Sequence, residues 1–423
     1  MKKKRIRIII VIFFCLFLIM ALYLINKEKK EQKELDRIRR EKELIVEIKS
    51  HYNEFVKTNK NSLVYNTNKE EVGTIFADVE LMLKEVDITK DTEFFELKDF
   101  DGYYIKYEDV TVIEELTEYD QRYKNYILFN ENILTNDKTS FYDEYDNQIY
   151  SFNQSYSLPI VIKDTEKYGV EFNNRLLYVK SSDVKEVVKN NNTDKTNVSA
   201  VPVLNYHFFY DDQDAEETRK CNESLCLAKS RFKSHLDYMK DNDIYTLKMD
   251  EFENYIDGRI QLPKSVLITI DDGPSSKRGI ELLDEYKMNA TLFLITSWFD
   301  AETFYDGEYI ELHSHSHDLH TPGVCPGGQG GGIKCLDREK LLNDLKSSRE
   351  ELNGTTAFCY PFYEFNQYSI EVLKEAGFTM GFAGAYGDSL AKVGVNKFNI
   401  PRIVISRTTT SNSIDYYFRK IKS

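Results

Sequence analysis

Hydrophobic and polar positions fall into distinct textures along this chain. Residues 8–25 (IIIVIFFCLFLIMALYLI) are apolar without a break and follow the basic opening MKKKRIR. Such a run is about the shortest that crosses a bilayer as a helix, and basic residues before it keep the N-terminus in the cytoplasm. No small-x-small cleavage site follows LIMALYLIN, so an uncleaved single-pass anchor (1–26 with its leader) is expected rather than a signal peptide. Everything beyond it would then lie outside the cell membrane. Residues 27–60 are highly charged and free of Gly and Pro as far as residue 58, which predicts a helical stalk. Over 61–187 the texture becomes short runs rich in Tyr, Phe, Val and Ile, the mark of β-strands. One segment recurs there, YYIKYEDV (103–110) and LYVKSSDV (177–184), preceded by SLVYNT and SFYDEY respectively. The spacing suggests two copies of a small β module.

The tract VKNNNTDKTNVSA (188–200) lacks apolar periodicity and reads as a linker. From 201 to 423 apolar strands alternate with amphipathic helices. Seven strands are predicted, at 201–207, 265–271, 290–295, 309–315, 356–362, 379–385 and 399–406. Alternation of this kind indicates a parallel sheet. Seven strands in this length suit an incomplete (β/α)7-type barrel; a doubly wound open sheet is the alternative.

Composition adds two constraints. The 423 residues carry a net charge of −14 and no basic face beyond the leader, which argues against nucleic acid as a partner. Among six cysteines, Cys221/Cys226 and Cys325/Cys335 are close pairs that an external compartment would allow to form disulfides. The oligomeric state is not readable.

Chemistry-bearing residues collect at the carboxyl ends of the predicted strands, where parallel α/β folds build their sites. His207 ends the first strand, Asp271 and Asp272 the second, the stretch ELHSHSHDLH (311–320) the fourth and YPFY (360–363) the fifth, while Arg402 lies in the seventh. Neighbouring carboxylates at a strand end point in different directions. One can bind a cation while the other takes a proton from water, although Asp-Asp-Gly-Pro is also an ordinary turn. On a strand, His313, His315 and His317 would crowd one face. His315 with His320, five residues on, and one Asp gives two imidazoles and a carboxylate, leaving a position open for water as in catalytic zinc sites.

Together these motifs resemble the polysaccharide deacetylases (the NodB-homology domain, carbohydrate esterase family four). The first motif stands here as Thr269-Ile270-Asp271-Asp272-Gly273. The second is similar to the longer-spaced form of the poly-N-acetylglucosamine deacetylase-like branch, with His315, Ser316 and His320. The resemblance spans about residues 200–423. It implies Asp271 as general base and Asp272, His315 and His320 as ligands of a divalent metal, with zinc first and cobalt, nickel or manganese open. It implies His207 as the acid that protonates the leaving amine. The third motif appears as Cys359-Tyr360-Pro361-Phe362 without its usual arginine, and the resemblance assigns the oxyanion-binding backbone N–H to Tyr360. The β modules look like SH3-like domains of cell-wall proteins. The expected activity is N-deacetylation of N-acetylglucosamine units in peptidoglycan or a surface poly-N-acetylglucosamine. An O-acetyl carbohydrate esterase, a non-catalytic wall-binding protein and, more distantly, a metal phosphoesterase are the alternatives. Trp298 and Phe299 are candidates for an apolar wall beside a sugar. CPGGQGGGIKC (325–335) reads as a flexible rim loop whose glycines look like a phosphate loop without its Gly-Lys-Ser/Thr.

Overall fold

The computed structural model describes residues 27–40, 42, 55–84, 93–273, 277–299, 307–384 and 390–421. The expected anchor at 8–25 lies outside them. Among the described residues no helix is long and apolar enough to cross a membrane. Residues 27–40 are helical, as the charged tract predicts, but Phe55–Thr58 is a strand rather than the end of the stalk. Val56 and Thr58 are buried on alternate positions there, and β-branched residues fit a half-buried pleat.

The chain forms two compact units. In the first, the repeat seen in sequence is a repeat of structure. Strands Ser62–Tyr65 and Glu71–Ile75 form one antiparallel hairpin, and Thr139–Tyr142 and Gln148–Phe152 form its counterpart. Tyr65 then pairs with Tyr104, and Tyr142 pairs with Tyr178. Each of those strands, Tyr104–Lys106 and Arg175–Lys180, runs into a single 3-10 turn, Tyr107–Asp109 or Ser181–Asp183. The two hairpins are not separate. Ile75 pairs with Tyr150, so both copies share one sheet. Its buried face is aromatic, with the Phe141 and Phe172 rings stacked at 3.9 Å and Tyr150 and Phe152 beside them.

The second unit comprises 121–134, 157–171 and 186–423. The tract expected to be a linker is packed within it. Asn192 Nδ2 donates to the Phe129 and Glu131 carbonyls (2.6 and 3.0 Å), Asn197 Oδ1 accepts from Leu262 N–H (2.9 Å), and Val198 is buried. Asparagine satisfies backbone groups from its side chain, so a polar tract need not be loose.

All seven expected parallel strands are present: β1 (Val203–Tyr206), β2 (Ser265–Asp272), β3 (Ala290–Leu294), β4 (Ile310–Ser314), β5 (Ala357–Cys359), β6 (Met380–Phe382) and β7 (Ile403–Val404). Spatial order follows chain order, β6-β5-β4-β3-β2-β1-β7, with every pair parallel. A doubly wound sheet would reverse direction part-way, and this one does not. Ile400, just before β7, bridges to Phe382 of β6 and brings the two ends of the sheet together. Helices α1 (Lys229–Asp241), α2 (Met249–Ile256), α3 (Lys277–Tyr286), α4 (Arg338–Glu351), α5 (Gln367–Glu375) and α6 (Ser411–Arg419) lie along this part of the chain. Strands β2 and β3 are buried at every residue, as both faces of a barrel wall require. Helix α3 reaches the core through Gly279, where a Cβ would stand 2.6 Å from the Phe209 ring.

One buried polar contact in this core predicts acid sensitivity. His235 on α1 is fully buried, with Nε2 donating to the Thr409 carbonyl and Nδ1 accepting from the Tyr206 hydroxyl, both at 3.2 Å. Burial holds its pKa down at about 4. The folded pKa lies below the unfolded value of about 6.5. The neutral ring therefore contributes stability above pH 6.5 that is lost as the pH falls toward 4. Urea unfolding at pH 7 and pH 4.5 should show a pH-dependent loss that is smaller by about 2 kcal/mol in His235→Gln than in the wild type.

Candidate active site

The end of β2 carries two carboxylates in opposite environments. Asp271 is fully buried and meets Arg402 end-on, with Nη1 donating to Oδ1 (2.7 Å) and Nη2 to Oδ2 (2.9 Å). Burial alone would raise its pKa, but the guanidinium outweighs that and holds it well below the usual carboxylate range. Asp272 turns the other way because its backbone is left-handed, at φ 74°. Its Oδ1 stands 3.3 Å from His315 Nε2 and 3.3 Å from His320 Nε2.

Those three side chains fit a metal. Ligand atoms about 2.1 Å from a tetrahedral zinc stand about 3.4 Å apart. Asp272 Oδ1 is buried and accepts no hydrogen bond from any described residue, an orphaned acceptor that a cation would satisfy. His315 Nδ1 donates to the Cys359 carbonyl (2.9 Å), which turns Nε2 toward Asp272, the usual outer-shell arrangement for a ligating imidazole. Burial disfavours the charged form of His315, but Cys359, Asp272 and Asp271 hold its pKa well above the usual imidazole value, so a metal there would displace a proton. Burial holds His320 near 4, so it is neutral at pH 7 and competent to ligate. His313 and His317 stay outside: His313 Nδ1 bonds Thr355 Oγ1 (2.6 Å) and His317 Nδ1 bonds Thr296 Oγ1 (3.0 Å).

His207 is brought to the same place. It is buried, its Nε2 lies 3.8 Å from Asp271 Oδ2 and 3.3 Å from the Tyr363 hydroxyl, and its Nδ1 is buried without a hydrogen bond from the described chain. Burial lowers its pKa against the pull of Asp271 and Asp272. Tyr363 was not singled out in sequence. Its hydroxyl donates to Asn205 Oδ1 (2.6 Å), two residues before His207 on the same face of β1 and the residues that follow it.

One expectation needs correction. Tyr360 cannot offer its N–H to an oxyanion, because that group donates to the Phe382 carbonyl (3.1 Å) in the ladder with β6. Its hydroxyl is also engaged, by the Phe398 carbonyl (3.0 Å). The first N–H beyond it belongs to Phe362, since Pro361 has none. Phe362 N–H makes no hydrogen bond with any described residue, and the Phe362 ring lies 4.4 Å from that of His320. The third motif itself lacks an arginine, as the sequence reads, but one reaches it from elsewhere in the chain. Arg402, one residue before β7, is fully buried and touches β2, the carbonyl of Ala383 after β6 and the Cys359 thiol. Burial pushes the Cys359 thiol up, so it stays protonated and donates to Asp271 Oδ2 (3.4 Å) from the position where the motif's arginine is expected.

Backbone strain gathers here as well. Asp272, Ser316, Phe362 and Tyr363 all have positive φ without being glycine. Such conformations cost of order 1–3 kcal/mol each and persist where the surroundings dictate them. The exposed Trp298 ring lies 5.7 Å from His320, in line with the expected apolar wall. Both cysteine pairs are disulfides.

Residues 259–381, which hold Asp271, Asp272, His315 and His320, match the family model for polysaccharide deacetylase. This part of the chain is a polysaccharide deacetylase domain. The hydrolase class expected from its motifs stands with it. No curated protein matches the chain in sequence. Similar solved structures include the Streptococcus pyogenes deacetylase PplD in complex with acetate, at 18% identity over 53% of this chain and 99% of that one with a TM-score of 0.43. IcaB from Ammonifex degensii is 20% identical over 52% of this chain and 97% of its own, with a TM-score of 0.42. A polysaccharide deacetylase from Bacillus cereus is 16% identical over 79% of this chain and 98% of its own, with the same TM-score of 0.42.

The ligand set of the deacetylase domain predicts its metal affinity. Replacing Asp272, His315 or His320 with Ala should weaken zinc binding by more than about 100-fold. Cys359→Ala, which keeps the carbonyl that orients His315, should stay within about 10-fold. Competition with a chromophoric chelator measures both.

Proposed function

We propose that the chain is a metal-dependent polysaccharide N-deacetylase that removes acetyl groups from N-acetylglucosamine units of peptidoglycan or of a surface poly-N-acetylglucosamine. The observation that carries this reading is the division of labour at Asp271-Asp272. One carboxylate faces two imidazoles; its neighbour is held ionised beside a third histidine. That pairing suits hydrolysis of an amide, which needs an activated water, a stabilised oxyanion and a protonated leaving amine.

Asp272, His315 and His320 would hold a divalent metal. Such an ion supplies Lewis acidity for the water and the acetyl carbonyl. Asp271 accepts the proton that water loses. A carboxylate has about four acceptor sites; the two Arg402 N–H groups and the Cys359 thiol account for three. The remaining one is free for the proton. Arg402 keeps Asp271 charged, the form a base requires, at the cost of weak basicity. We assign the oxyanion to the Phe362 N–H, which is unpaired among the described residues and belongs to the turn whose aromatic ring packs 4.4 Å from that of His320. His207 donates a proton to the departing nitrogen as the C–N bond breaks. Acetate and a free amine result, and one water is consumed.

Further parts of this reading rest on the rest of the chain. We assign the apolar run 8–25 to a membrane anchor with the deacetylase domain outside, and the paired β modules to holding the enzyme at the wall. Two disulfides support an oxidising compartment.

Acetate release from N-acetylglucosamine oligomers tests the function. The purified protein with zinc or cobalt should release acetate, a chelator should stop it, and Asp271→Asn should lower kcat by about 1,000-fold. His207→Gln should cost about 100-fold or more. Release from O-acetylated xylan but not from the oligomers would instead make this an esterase. Metal binding without release from either would leave a binding protein on a deacetylase scaffold.

A further inference from the structure

The glycine-rich loop has no part in the reaction described above, yet it is not loose. Cys325 and Cys335 are joined, and Gly323 N–H donates to the Gln329 carbonyl (2.8 Å) while Val324 and Cys325 N–H both donate to Gly330 (2.9 Å). Gly327, Gly328 and Gly330 have positive φ, so the loop curls its backbone N–H groups inward. Successive N–H groups in such a curl form an anion-binding nest. Here the anion is the chain's own. Glu364 Oε1 accepts from Gln329 N–H (2.6 Å), and Oε2 accepts from Gly331 N–H (2.8 Å) and pairs with Lys334 Nζ (2.8 Å). Lys334 Nζ donates in turn to the Gly327 carbonyl (2.8 Å). A Cβ on Gly328 would fall 1.8 Å from Glu364 Oε1, so the approach needs glycine there. The likeness to a phosphate loop is therefore real in its physics, and Glu364 fills the place a phosphate would take.

Glu364 directly follows Phe362 and Tyr363, the two left-handed aromatic residues at φ 58° and 61°. One has an N–H unpaired among the described residues and a ring 4.4 Å from that of His320, and the other offers the hydroxyl that reaches His207 and Asn205. The loop also reaches Phe362 itself, since a Cβ on Gly331 would lie 3.3 Å from its ring. A strained turn needs an anchor, and this carboxylate with its nest is the strongest one attached to it.

We propose that the disulfide-closed loop 323–335 is a clamp that grips Glu364 and thereby holds the Phe362–Tyr363 turn in its working conformation. Glu364 is thus a positioning residue, acting through its two predecessors rather than through Asp272, His315 or His320. The proposal rests on the deacetylase reading for its kinetic consequence only.

The test uses the full chain with Glu364→Ala, Glu364→Gln and the double variant Cys325→Ser/Cys335→Ser. Amide hydrogen exchange over 360–364 should quicken by about 10-fold or more in Glu364→Ala and in the double variant. Acetate release by Glu364→Ala should show kcat lowered about 10- to 100-fold, with KM within about 3-fold and zinc affinity within about 10-fold of wild type. Glu364→Gln, which keeps one acceptor oxygen in the nest, should recover part of kcat. Unchanged exchange at Phe362 and Tyr363 in folded Glu364→Ala overturns the clamp. So does a kcat loss matched by equal losses in zinc affinity and Tm, because that is general unfolding. If Glu364→Ala does not fold, Glu364→Gln and the double variant decide by the same exchange readout. A wild type that releases no acetate while the exchange responds would sink the deacetylase reading and leave the clamp standing.

Discussion

The site depends on one buried ion pair. Asp271 and Arg402 meet with two parallel hydrogen bonds where neither is exposed to solvent. Taking two charges out of water costs several kcal/mol per ion, and only near-ideal geometry with every remaining polar site satisfied offsets it. Here Arg402 is satisfied from several directions, by Asp271, by the Ala383 carbonyl and by the Cys359 sulfur. The pair ties the end of β2 to the residue before β7 and to the end of β5. It therefore fixes Asp271, the start of the last strand and the loop that carries Tyr363 in a single network.

Around that pair the chemistry is divided by backbone conformation. Asp271 continues the strand and faces the arginine; Asp272 turns left-handed and faces two imidazoles. A left-handed residue also follows His315, and two more follow Pro361. Each is a place where the chain leaves its strand sharply, so that groups from β2, β4 and β5 converge within a few ångströms. Strain of this kind is stored where side chains must point against local preference. The glycine loop, closed by its disulfide and filled by Glu364, is one of the features that hold it.

Much of this was legible in sequence for a simple reason. The seven strands are short β-branched and aromatic runs set between amphipathic helices, so their existence and order follow from period and punctuation. His315 and His320 could be paired with one carboxylate from spacing and chemistry, whereas the choice of Asp272 over Asp271 came from the family resemblance. Arg402 could be placed on the last strand, but its partner is 131 residues away, and no local pattern reveals a contact across a barrel. The same limit explains the misassigned N–H. Tyr360 and Phe362 differ only in which of them the β6 ladder uses, and that is a property of pairing rather than of sequence. The tract 188–200 reads as a linker because it lacks apolar periodicity, whereas its asparagines tie it to the second unit through part-buried backbone groups.

The central claim is that Arg402 acts on catalysis through Asp271. The most direct measurement is a double-mutant cycle on acetate release, with Asp271→Asn, Arg402→Met and the two combined, on protein shown to be folded and metal-loaded. If the claim holds, each single change lowers kcat steeply and the combination costs little beyond Asp271→Asn alone, with a coupling well above the 0.5 kcal/mol or so expected of independent sites. Losses that simply add would contradict it, and would place Arg402 in the barrel's packing rather than in its chemistry.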